Sequence, residues 1–77
     1  MYGYDQKFAE RLNQLIERDN LGRFDLARAT GLSSSYIQRL RQGYSLPRVI
    51  NLIAIADFFH VSLDYLLGRS NDPLRHP

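Results

Sequence analysis

The chain has 77 residues, a formal charge of +2 and 44% hydrophobic residues. That is enough for one domain with one core and too apolar for a disordered chain. The absence of cysteine excludes disulfides and thiolate metal sites, and no run nears the roughly 18 apolar residues of a membrane span.

The first helix is expected from Asp5 to Asn20. Phe8, Leu12, Leu15 and Ile16 recur at spacings of three and four and make one apolar stripe, and Asp5 is a plausible N-cap. Gly22 breaks the pattern. Arg23 to Thr30 gives a short second helix with Leu26 and Ala27 inward, closed by Gly31 in the left-handed conformation. Leu32 anchors the turn, and Ser33 caps a third helix that runs to Gln42 and stops at Gly43. Pro47 opens a fourth helix with Val49, Leu52, Ile55, Ala56 and Phe59 inward. Ser62 caps a short fifth helix, with Leu63, Leu66 and Leu67 inward and Gly68 at its end. Residues 69–77 hold two prolines and no periodicity and read as a flexible tail behind a domain of residues 1–68. The expected fold is therefore all-α, a compact five-helix domain whose second and third helices form a helix-turn-helix.

Charge is unevenly spread. Residues 1–22 carry three basic and four acidic groups, whereas residues 23–56 carry five arginines and one acid, Asp25. Such a stretch suits a polyanion. On a 100° wheel, Ser33, Ile37 and Leu40 of the third helix share the core side. Ser35, Gln38, Arg39 and Gln42 share the other, with Ser34 at its edge. The chemistry fits DNA. Arginine pairs bidentately with guanine, glutamine with adenine, and short serines let a helix N-terminus approach closely.

The ordered set Leu26-Ala27, Gly31 to Ile37, Gly43, Pro47, Leu52, Ile55-Ala56 and Phe59 to Leu67 resembles the phage-repressor helix-turn-helix family. That family includes lambda repressor, Cro and the xenobiotic-response-element regulators. The likeness spans about residues 8–68. It implies duplex DNA as partner and a homodimer on a two-fold operator. It places base contacts on Ser34, Ser35 and Arg39, to which the wheel adds Gln38. It places phosphate contacts on Arg23, where the family has glutamine, and on Gln42, Gly43, Tyr44 and Ser45; Arg48 joins them as a further cation. Many members bury an arginine of the first helix against a glutamate late in the reading helix. The matching positions here are Ile16 and Arg41, so Arg41 is expected to lay its stem along Ile16 and turn its guanidinium outward to water, phosphate or an acid.

Other residues have plainer roles. His60 is a loop residue, and with only His76 as company it supports no metal site. Ser33, Ser34 and Ser35 lack a histidine base on their element, and Tyr36 reads as semi-buried packing. The fourth helix is too apolar for burial on one side. Ile50, Ile53, Phe58 and Tyr65 are therefore expected at a subunit interface, with Tyr2 and Tyr4 near the same patch or beneath the first helix.

The resulting expectation is a sequence-specific double-stranded DNA-binding transcriptional regulator, a repressor in type, that inserts its third helix into the major groove. The alternative is an antitoxin-like protein-interaction module on the same fold. No acid–base pair, metal cluster or phosphate loop suggests an enzyme, and no cofactor is implied. Residues 1–5 lack the basic and apolar runs of a signal peptide, so a cytoplasmic, nucleoid-associated protein of bacterial or phage origin is expected. No effector domain follows Gly68 in the sequence, which points to control by concentration or by a partner.

Overall fold

The computed structural model describes residues 3–74 and is all-helical. The elements are α1 (Tyr4–Arg18), α2 (Asp25–Thr30), α3 (Ser34–Arg41), α4 (Val49–Phe59) and α5 (Leu63–Leu66). Tyr2, His76 and the rest of the last three residues, for which the sequence carries expectations, lie outside the described residues.

The α1 helix begins one residue earlier than its sequence suggests. Its N-cap is Gly3 in the left-handed region, and no side chain caps it. The Asp5 carboxylate instead accepts the Gln6 N–H at 2.9 Å. At the other end Asn20 takes φ +54°. Asn20 N–H then returns to Glu17 C=O and Leu21 N–H to Ile16 C=O, which satisfies carbonyls that the helix end would leave bare.

The α2 helix starts at Asp25, not Arg23, because the preceding residues are held in a turn. The Asp25 carboxylate accepts the Gly22 N–H at 2.6 Å. The acid that interrupts the basic stretch is thus engaged in forming the turn.

Gly31 closes α2 at φ +77°, and Ser33 opens α3 as expected, its Oγ accepting the Tyr36 N–H at 3.1 Å. Ser33 itself is exposed rather than on the core face, since a capping side chain must fold back over its own helix end. Ser62 repeats the device at α5, accepting the Tyr65 N–H at 3.0 Å.

The core is built from one stripe per helix: Phe8, Leu12 and Leu15 from α1, Leu26 from α2, Ile37 and Leu40 from α3, Ile55 and Phe59 from α4, and Leu66 from α5. Two expected core residues face out. Val49 is 70% exposed and Leu63 37%. Each is the first residue of its helix.

The segment after Gly68, read from sequence as a tail, has defined contacts through residue 74. The Arg69 N–H donates to Asp64 C=O at 2.8 Å and the Ser62 N–H to Pro73 C=O at 3.1 Å. Asn71 Oδ1 accepts from Arg11 at 2.9 Å. Among the described residues no helix is long and apolar enough to cross a membrane, and no cluster of three or more His, Cys, Asp or Glu could hold a metal ion.

Candidate nucleic-acid interface

The α2–turn–α3 unit presents α3 at the surface. Ile37 and Leu40 anchor it in the core, while Ser35 and Arg39 are exposed and Ser34 and Gln38 half-buried. Those four residues thus lie along the outer side of α3, starting at its N-terminus. The N-terminal end carries the free N–H groups and the positive end of the helix dipole.

Beside this end lies an open groove of about 470 Å³ between α3 and the start of α4, with Arg39 on one wall and Arg48 and Ile50 on the other. Tyr36 and Asn51 line it as well, and the Asn51 amide donates to the Tyr36 hydroxyl at 3.3 Å. The Arg39 guanidinium lies 5.8 Å from the centre of the Tyr36 ring.

The expected phosphate-contacting residues fall into two groups. Arg23 is exposed and stands 5.4 Å from the ring of Phe24, just ahead of α2. Gln42, Gly43, Tyr44, Ser45 and Arg48 lie on the connection from α3 to α4. Gln42 caps α3 and is exposed, as are Ser45 and Arg48, and Tyr44 is 81% exposed. Gly43 is buried at φ +84°, with Ala9 and Gln6 of α1 beneath it. That left-handed turn swings Tyr44 outward at little steric cost because the residue is glycine.

Charge on this side is unneutralised. The ion pairs among the described residues are Lys7–Glu10, Arg18–Asp19 and Arg69–Asp64, all outside residues 23–56. None of Arg23, Arg28, Arg39, Arg41 and Arg48 is ion-paired there. Arg41 stands apart from the rest: its Nε donates to Asn13 Oδ1 at 2.6 Å, so its partner is an amide of α1 and not an acid.

The residues expected at a subunit interface are not equivalent. Ile50 is 69% exposed and Ile53 is also exposed. Phe58 packs edge-on to Phe59 and against the core, and Tyr65 is half-buried beneath Arg11, whose guanidinium lies 4.1 Å from its ring centre. Leu46 and Val49, both exposed, join Ile50 and Ile53. Sequence reasoning missed this pair, and it missed Asn51. Asn51 carried a signal, as the one polar residue in the apolar first half of its helix.

A family model described as helix-turn-helix matches residues 25–66, from the start of α2 to the end of α5. The chain belongs to this family, the helix-turn-helix type of lambda repressor and Cro. It is also 37% identical over 65 residues to an uncharacterized HTH-type transcriptional regulator of Haemophilus influenzae. That alignment covers 84% of this chain but 27% of the relative, so the chain spans about a quarter of the relative's length. No solved structure matches the chain.

Proposed function

We propose that this protein is a sequence-specific double-stranded DNA-binding transcriptional regulator that inserts α3 into the major groove. The observation that carries it is the pairing of an exposed reading face with arginines free of ion pairs. A family whose members read DNA supplies the fold; the five arginines of residues 23–56, without an ion-paired acid among the described residues, supply the affinity for a polyanion. Ser34, Ser35, Gln38 and Arg39 read base edges. Arg23, Gln42, Gly43, Tyr44, Ser45 and Arg48 hold phosphates and set register.

The protein acts as a homodimer on a two-fold operator, through Ile50 and Ile53, with Phe58 and Tyr65 nearby. It represses by occupying its site, which needs no surface beyond the DNA contact. It works in the cytoplasm, on the nucleoid, and performs no catalysis.

A second reading has its own support. The exposed Leu46, Val49, Ile50 and Ile53 suit an antitoxin-like module that binds another protein. Titration of the protein against random duplex DNA at stepped salt separates the two. A DNA-binding regulator gives a log K that falls linearly with log salt, by about 0.9 per neutralised phosphate. No salt-dependent binding would remove the regulator reading and leave the interaction module.

A further inference from the structure

Resting on the DNA-reading role proposed above, we infer that Tyr36 and Asn51 are positioning residues for Arg39 and so tune the base preference of the reading helix. Arg39 is exposed and has no ion pair among the described residues. A free arginine side chain samples many rotamers, yet bidentate recognition of guanine demands one placement of the planar fork. Tyr36 precedes Arg39 by three residues, so the two are neighbours on the helix surface. The guanidinium stands 5.8 Å from the Tyr36 ring centre, within reach of a cation–π attraction.

Tyr36 is itself held at three points. Its backbone N–H is fixed by the Ser33 hydroxyl at 3.1 Å. Its half-buried body packs against the core. Its hydroxyl accepts from the Asn51 amide at 3.3 Å, across from the reading helix to α4. The chain Asn51–Tyr36–Arg39 therefore joins α4 to the side chain that reads a base. Tyr36 and Asn51 need no contact with DNA to act in this way.

The test is a set of binding titrations with a duplex carrying the selected site and the three single-base changes at the position Arg39 reads. That position is the one where Arg39→Ala loses discrimination. Asn51→Ala and Tyr36→Ala are expected to lower discrimination there about two- to fivefold, the size of an exposed cation–π contact. The salt slope stays unchanged, and neither change lowers discrimination further in the Arg39→Ala background. Tyr36→Phe, which keeps the ring, retains more discrimination than Tyr36→Ala. Tyr36 packs on the core, so Asn51→Ala and Tyr36→Phe decide the matter if Tyr36→Ala does not fold. An equal loss of affinity on all four duplexes, or the same loss of discrimination without Arg39, would overturn the positioning role. Wild-type protein that binds all four duplexes alike would instead overturn the DNA-reading role itself, and the positioning role with it.

Discussion

Arg41 and Asn13 hold each other reciprocally across 28 residues of chain: Arg41 Nε donates to Asn13 Oδ1 at 2.6 Å, and Asn13 Nδ2 donates to the Arg41 carbonyl at 3.2 Å. One side chain and one backbone carbonyl at the last turn of α3 are thereby fastened to the middle of α1. A neutral amide serves both, since it offers an acceptor to the guanidinium and a donor to the carbonyl. The carbonyl is one that the helix end would otherwise leave without a donor.

Asn13→Ala removes both bonds in a half-buried setting. Hydrogen bonds to charged groups are worth more than neutral ones, and Arg41 keeps access to water. The expected loss is about 1–2 kcal/mol in chemical denaturation. Asn13→Asp restores an acceptor for Arg41 but no donor for the carbonyl, so its stability should fall between wild type and Asn13→Ala. Equal stability of all three would show that the pair does not secure α3.

Ser33 separates folding from binding. Ser33→Ala deletes the cap of the reading helix and should cost about 1 kcal/mol. Ser33→Asp keeps a capping oxygen and favours the helix dipole, so stability is retained. The same aspartate places a negative charge at the end of α3 proposed to approach phosphate. Its affinity for duplex DNA should drop while its melting temperature does not, as read by parallel thermal and binding titrations.

The Arg18–Asp19 pair sets a small acid-side dependence. The hydrogen bond from Arg18 at 2.7 Å, then its charge, holds the Asp19 carboxyl below its ordinary value. A depressed folded-state value stabilises the fold above the unfolded value, near about 4, and that stability is lost as pH falls through the folded value. The pair is at the surface and screened, so its worth is about 0–1 kcal/mol. The stability gap between wild type and Asp19→Asn should be constant from pH 6 to 8 and close in acid, which denaturation at stepped pH measures. A gap that widens in acid would contradict the sign.

The α4 surface supplies the test of assembly. Ile50→Asp replaces a side chain that is 69% exposed, in the first turn of α4 where an acid favours the helix dipole, so it should change monomer stability by no more than about 0.5 kcal/mol. In sedimentation it should convert a dimer to a monomer. Wild-type protein that sediments as a monomer at high micromolar concentration, with and without operator DNA, would rule out this interface.

Much of this was legible in the sequence wherever the signal was local. Ser33, Ser62, Gly31, Gly43 and Gly68 punctuate the chain because capping oxygens and positive φ are properties of single residues. The stripes of α1 and α3 followed from spacing. What was not legible depended on tertiary neighbours. Val49 and Leu63 continue their stripes by phase but are the first residues of their helices and stay exposed. Asp25 was read as a charge, though it acts as the acceptor of the Gly22 turn. His60 takes φ +58° at the end of α4, a conformation that glycine or asparagine would have announced and histidine does not. The departure at Ile16 and Arg41 was visible as two changed residues. Its resolution through Asn13 was not, because the partner is an amide of α1, one helical turn before Ile16, and not the water, phosphate or acid expected on the outside. Tyr36–Asn51 is of the same kind, a bond between two helices that neither helix encodes alone.

In the proposed complex α3 reads DNA sequence with Arg39 while Arg23 holds phosphate. Selection of binding sites from random duplexes with wild type, Arg39→Ala and Arg23→Ala tests it most directly. Wild type should enrich a two-fold site with half-sites about one helical turn apart. Arg39→Ala should relax one position in each half-site by about 1–3 kcal/mol, and Arg23→Ala should weaken every sequence alike and flatten the salt slope. Failure of the wild type to enrich any sequence, or equal losses from both variants on cognate and scrambled DNA, would contradict it.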